Sequence, residues 1–209
     1  MLVWLVAAVA VAMALGQSRA KAAPEFESIT SSDRAFQVHY PKSLLTCSHR
    51  DGENPDVWSP EACAADIPVC DNSMHGGNVI LCLAYPTSEF KGSELQAAAF
   101  AVSRIDNFTA NECTQKWARS STSDIHPEQI AGLKYQAARA SETASSHVAD
   151  QRVYRIFHKG ACYELDVSLS IALDSAFATE DVPRKLTPAE REKIENTMLR
   201  ALYGFRFLK

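Results

Sequence analysis

Apolar Phe36, Val38 and Tyr40 alternate with Gln37 and His39, the period-two pattern of a strand with one buried face. Pro41 closes the pattern, and Ser31-Ser32-Asp33 separates it from an earlier strand segment, residues 26–30. His39 falls on the polar side and is expected to be a solvated imidazole. Residues 78–85 (NVILCLAY) are apolar on both parities, as in a strand covered on both faces. Beyond Gly132, residues 133–140, 152–158 and 162–173 again read as strands, the last two joined at Lys159-Gly160. A two-residue turn there sets His158 opposite Ala161, Ile156 opposite Tyr163, Tyr154 opposite Leu165 and Arg155 opposite Glu164. Apolar then meets apolar and cation meets anion, so the register is self-consistent. The carboxylates of Glu164 and Asp166 stand on the parity opposite the apolar residues, so this pattern predicts a solvated sheet face for both.

Two segments carry helix start signals. Ser93-Glu94-Leu95-Gln96 has the form of a capping box, with Leu95, Ala98, Ala99, Val102 and Ile105 on one helical face. Thr187-Pro188-Ala189-Glu190 supplies an N-cap, a first-turn proline and a capping-box Glu. Ile194, Met198, Ala201 and Leu202 would line the buried face of that second helix, Gly204 would stop it, and Phe205-Arg206-Phe207 reads as a short edge strand. The order β-β-loop-β-α-β-β-β-α-β predicts an α+β fold: a single antiparallel sheet flanked by helices.

The chain begins with an unbroken apolar run of 14 residues, Leu2 to Leu15. As a helix it would rise about 21 Å, short of the roughly 30 Å hydrocarbon thickness of a bilayer. The run, followed by Ala20-x-Ala22, reads as a signal peptide over residues 1–22, with cleavage after Ala22 or, as the alternative, at Ala14-x-Gly16. An uncleaved signal anchor is the competing reading. The mature domain would be residues 23–209, a single α+β unit, secreted or periplasmic. No later apolar run is long enough to span, so no stable membrane insertion is expected after cleavage. The chain carries 21 Lys and Arg against 25 Asp and Glu, a net charge of −4, and removal of Arg19 and Lys21 makes it more acidic. Such a balance argues against nucleic-acid binding.

Residues 42–77 break every periodic pattern and hold Cys47, Cys63 and Cys70. With Cys82, Cys113 and Cys162 they make an even set of six, which in an exported chain reads as a disulfide framework. Zinc is the rival reading, but the closest pair, Cys63 and Cys70, is too widely spaced for a usual zinc ligand pair. The irregular segment has too little apolar periodicity to hold itself by packing. Its three cysteines are therefore expected to pair among themselves or with Cys82, in a connectivity that spacing leaves open. Cys113 and Cys162 then remain for each other, provided the segment around Cys113 crosses the sheet face that Cys162 shares with Phe157 and Glu164. Trp58 is a large aromatic in this loop and is either a ligand contact or the loop's own small core.

The phrase Phe36-x-Val38-x-Tyr40-Pro41, the hairpin ending Gly160-Ala161-Cys162-Tyr163-Glu164-Leu165, and the terminal Ala201-Leu202-Tyr203-Gly204-Phe205-Arg206-Phe207 resemble the PsbP-like family. The family is named for an extrinsic subunit of the oxygen-evolving complex and has exported bacterial relatives. The resemblance implies an α/β/α sandwich around an antiparallel sheet and carries over no catalytic residue. The cysteine-rich loop departs from the family's usual pattern.

Searches for chemistry are negative at motif level. There is no Gly-x-Ser-x-Gly elbow, no phosphate loop and no Cys-x-x-Cys. No cofactor and no metal is expected. His126 and His147 read as loop residues, and Asn107-Phe108-Thr109 is a glycosylation sequon. Two functions stay in view. One is a non-enzymatic exported protein that binds an unknown protein or small-molecule partner, or assists assembly in the cell envelope. It would use the stapled loop 42–77 and the exposed sheet face as its contact surface. The alternative is a small secreted hydrolase with a site assembled from distant residues such as His39, His49 and Asp66.

Overall fold

The computed structural model describes residues 25–49, 58–59, 70, 77–117, 122–143, 146–178 and 182–209. The signal segment, Cys63 and Asp66 lie outside the described residues. The strands are β1 (Phe26–Thr30), β2 (Phe36–Pro41), β3 (Leu45–His49), β4 (Trp58–Ser59), β5 (Asn78–Ala84), β6 (Leu95–Ile105), β7 (Thr122–Ile130), β8 (Leu133–Thr143), β9 (His147–His158), β10 (Ala161–Ala172) and β11 (Phe205–Phe207). The helices are α1 (Ala110–Gln115) and α2 (Pro188–Tyr203). The strands form two sheets rather than one: a three-stranded sheet ordered β1-β2-β11 and an eight-stranded sheet ordered β4-β3-β5-β6-β10-β9-β8-β7. Every strand pairing is antiparallel. The segment over residues 42–77 contributes β3 and β4, and His126 sits within β7 instead of a loop.

The helix expected after Ser93 is strand β6. Its Ala98, Phe100 and Val102 join the main core while Ala97, Ala99 and Ala101 pack on the other face. A run that is apolar at nearly every position satisfies helical and extended spacing alike, and the central place between β5 and β10 decides for strand. The Ser93 hydroxyl accepts from the Leu95 amide (3.3 Å) in a local turn instead of capping a helix.

The β9–β10 hairpin has the register expected from charge and polarity, with Arg155 opposite Glu164 and Tyr154 opposite Leu165. Its turn residues Lys159 and Gly160 have φ of 47° and 86°, the pair of left-handed positions that a two-residue hairpin of matching twist requires. Helix α2 is built as its sequence signals indicate. The Thr187 hydroxyl accepts from the Glu190 amide (3.3 Å), and the Glu190 carboxylate accepts from the Thr187 amide (2.8 Å). Ile194, Met198, Ala201 and Leu202 are buried against the large sheet and β2. Phe36, Tyr163, Phe205 and Phe207 close the joint, with ring centroids of Phe36 and Phe205 5.1 Å apart and those of Tyr163 and Phe207 5.0 Å apart. Buried Glu94 pins the approach to α2, accepting from the Leu186 amide (3.1 Å) and from Arg191 (2.9 Å) and pairing with Lys185 (3.0 Å). Burial alone would raise the Glu94 pKa, but these donors outweigh it and hold the carboxyl below its ordinary value.

Two predictions follow from local geometry. A lysine in the left-handed region is strained by about 1 kcal/mol, and asparagine much less. Lys159→Asn is therefore expected to raise Tm by about 2–4 °C in a calorimetric scan. At Gly204 a Cβ would run into the backbone carbonyl of His39, whose own amide donates to the Gly204 carbonyl (3.1 Å). Because a backbone atom of β2 cannot step aside, Gly204→Ala should cost more than about 2 kcal/mol in urea denaturation.

Candidate functional site

The large sheet is covered on both faces near its centre, and the two faces differ in chemistry. On the α2 face, β10 presents Tyr163, Leu165, Val167 and Leu169 to the main core. The other parity carries Glu164, Asp166, Ser168 and Ser170, all buried. The expected solvated face is therefore a buried polar layer, a correction that pairing alone did not reveal because it depends on what lies over the strand. Helix α1 is one such cover. Its Cys113 is bonded to Cys162, as expected, with Cα atoms 5.5 Å apart. Cys70 is bonded to Cys82, with Cα atoms 5.6 Å apart, and packs with Ala97, Ala99 and Ala101 on this same face. Cys47 is also disulfide-bonded.

Within this layer Arg155 Nε donates to Glu164 Oε2 (2.7 Å), its Nη1 donates to the Lys116 carbonyl (2.7 Å), and its guanidinium carbon lies 4.5 Å from the Trp117 ring centroid. Both groups of the ion pair are fully buried. Neither carboxyl oxygen of Asp166 has a hydrogen-bond partner among the described residues. Burial, and then the neighbouring Glu164 charge, push the Asp166 pKa well up, while Arg155 acts the other way. Asp166 thus holds its proton more tightly in the folded chain than in the unfolded one. Stability should fall as pH rises from the ordinary aspartate range toward the folded-state value. In Asp166→Asn that loss disappears, so its Tm advantage over the parent should grow between about pH 4 and pH 7. An advantage independent of pH would mean that folding does not raise the Asp166 pKa.

On the α2 face the cover ends before the sheet does. Strands β7, β8 and β9 continue past the helix and leave a groove of about 350 Å³ lined by Arg139, Ser141, Asp150, Arg152, Glu195 and Met198, among others. A second hollow of about 230 Å³ shares Arg139 and Arg152 and adds His126, Tyr154 and Tyr203. Arg139 and Arg152 stand directly opposite each other on β8 and β9, in one rung that continues to Ser123 on β7 and Val167 on β10. Arg152 Nη2 donates to Glu195 of α2 (2.9 Å), and Arg139 lies 3.7 Å from Asp124. The Ser141 hydroxyl donates to Asp150 (3.1 Å).

The described histidines do not converge. His39 stacks on Phe26 with centroids 4.8 Å apart and meets the Ser28 hydroxyl at 3.1 Å, so it is packed against a strand neighbour rather than freely solvated. His49 ends β3 opposite Trp58 of β4, and Asp66 is outside the described residues. His126 is held by the Asp124 carbonyl (2.7 Å) and His147 by the Ser146 hydroxyl (3.3 Å). His158 stacks on Phe207 at 3.8 Å, and burial lowers its pKa. Among the described residues no group of three or more His, Cys, Asp and Glu is arranged to hold a metal, and no helix is long and apolar enough to cross a membrane. The groove was missed at the level of sequence. Its signal lies in one parity of β8 and β9, where Tyr135 and Ala137 give way to Arg139 and Ser141, and Ile156 and Tyr154 to Arg152 and Asp150.

No protein-family model matches the chain, and a search of curated proteins finds no match. Solved structures similar to it include a Bacteroides thetaiotaomicron VPI-5482 protein (12% identity, TM-score 0.40, 88% of this chain). The match spans only 48% of that protein. Two others are the cyanobacterial PsbP protein CyanoP of Synechocystis sp. PCC 6803 (6% identity, TM-score 0.42, 93% of this chain and 99% of that one) and Mycobacterium tuberculosis LpqN, described as involved in cell envelope biogenesis (7% identity, TM-score 0.45, 88% and 91%). Overlaps of this size leave family and function unassigned.

Proposed function

We propose that this is a PsbP-like, non-enzymatic binding protein of an oxidising compartment, secreted or periplasmic, whose contact site is the groove between α2 and strands β7–β9. The observation that carries the reading is the Arg139–Arg152 rung. It places two cations side by side in a concave, partly apolar hollow of the size that small ligands occupy. The disulfides Cys70–Cys82 and Cys113–Cys162 agree with an oxidising compartment. The three phrases that resemble the PsbP-like family meet in one place, since β2, the β9–β10 hairpin and the α2–β11 joint share the cluster of Phe36, Tyr163, Phe205 and Phe207.

The test is a solution NMR titration of the mature chain with a defined mixture of amino acids, short peptides, sugars and nucleotides. Shifts are expected at β8, β9 and the Glu195–Tyr203 half of α2. Shifts confined to β3 and β4 around Trp58 would move the contact site to the stapled loop. Turnover of ester or peptide substrates that is lost on substituting His39 or His49 would restore the hydrolase reading.

A further inference from the structure

We infer that the groove recognises a free apolar α-amino acid, an inference that rests on the groove being the contact site. Directly opposed side chains on antiparallel strands have Cβ atoms about 5 Å apart, and like charges there destabilise the pair. Arg139 pairs with Asp124 at 3.7 Å, and Arg152 donates Nη2 to Glu195 and also meets the Tyr154 hydroxyl. Each guanidinium is thus held by one acid, and both line the same hollow with further N–H donors to offer. A carboxylate fits that arrangement, since its two oxygens accept from both forks.

The same groove excludes a bare anion. Asp150 precedes Arg152 by two residues on the same face of β9, about 6.6 Å along the strand. It has no cationic partner among the described residues, only the Ser141 hydroxyl. A ligand whose carboxylate sits on the arginine rung must offer Asp150 a cation from an adjacent position. An α-ammonium does so, being one carbon removed from its own carboxylate. The floor beside these charges is Val167, Leu169 and Met198, which suits an aliphatic or thioether side chain over a charged one. A volume of about 350 Å³ holds a single amino acid of that size.

The experiment is a titration of the mature chain with L-leucine, L-methionine and L-valine, read by calorimetry and by the side-chain Nε–Hε signals of Arg139 and Arg152. Leucinamide, which lacks the carboxylate, and 4-methylpentanoate, which lacks the ammonium, are run in parallel. The amino acids should shift both arginine signals, and each analogue should bind about tenfold or more weakly, because each leaves one charged group of the site unanswered. Arg139→Gln, at a side chain 65% exposed, and Asp150→Asn should each weaken leucine by a similar factor while Tm stays near that of the parent. Equal binding of leucine and leucinamide, or of leucine and 4-methylpentanoate, would overturn the zwitterion while leaving the groove as a contact site. Silence of the groove toward all three amino acids would overturn the inference, and the contact site itself would fall only if the broader mixture were silent there too.

Discussion

Strand β10 is buried along almost its whole length on both faces, and the rest of the structure answers that constraint. On one face the answer is hydrophobic. Tyr163, Leu165, Val167 and Leu169 meet Ile194, Met198, Ala201 and Leu202 of α2, with Phe36 and Phe205 closing the end. Large apolar side chains bury enough area, at about 25 cal/mol per Å², to hold a helix without covalent help. On the other face the neighbours are Ala97, Ala99, Ala101, Ser103, Ser168 and Ser170, whose methyl and hydroxymethyl groups supply little area. The described disulfides Cys70–Cys82 and Cys113–Cys162 both lie on this face. Sulfur bridges do there what apolar area does on the α2 side. In the chain-entropy model a bridge such as Cys113–Cys162, closing 49 residues, contributes about 4 kcal/mol.

The small side chains of that face also explain how a charged layer can lie beneath a cover. Arg155 reaches over the strand, pairs with Glu164 and lies against Trp117, so its charge is answered by one carboxylate, one carbonyl and one ring. Asp166, one step along the same parity, has Val153 opposite and Ala101 on the far side. Neither neighbour can donate to it, and a neutral acid is the cheaper state there. The pair and the lone acid are thus one electrostatic unit. Keeping Asp166 protonated spares Glu164 a second like charge at close range and leaves Arg155 to a single partner.

What was legible in the chain is what local pairing decides. The β9–β10 register was readable because the rungs nearest the turn agreed, Ile156 on Tyr163, Tyr154 on Leu165 and Arg155 on Glu164. Helix α2 was readable because its cap, first-turn proline and terminal glycine are local signals. The Cys113–Cys162 bond was readable because pairing the other four cysteines among themselves leaves these two for each other, and the sheet face of Cys162 permits it. What was not legible depends on distant segments. Ser93 and the alanines of β6 imitate a capped helix, and only a place between β5 and β10 makes the run a strand. The alternation of Glu164 and Asp166 with leucine and valine describes a half-wet strand unless something covers the polar side. The limits of the groove are the limits of α2's reach, and a sequence does not state where a helix stops covering a sheet.

That reach can be estimated. Eight strands spaced about 4.8 Å apart span roughly 34 Å, whereas one helix with its side chains is about 10–12 Å wide. A single helix across β6 and β10 must leave the outer strands to solvate themselves, so polar residues on β7–β9 are required whatever the protein does. Solvation alone sets no order among them, and an order that lowers energy would place cations opposite anions. The outer strands do not follow that order at their deepest point. Arg139 faces Arg152, and Asp150 faces Ser141, where an exchange of one arginine and the acid would have made a cross-strand ion pair. The two arginines take their partners from Asp124 of β7 and Glu195 of α2 instead, and Asp150 is left, among the described residues, with the Ser141 hydroxyl alone.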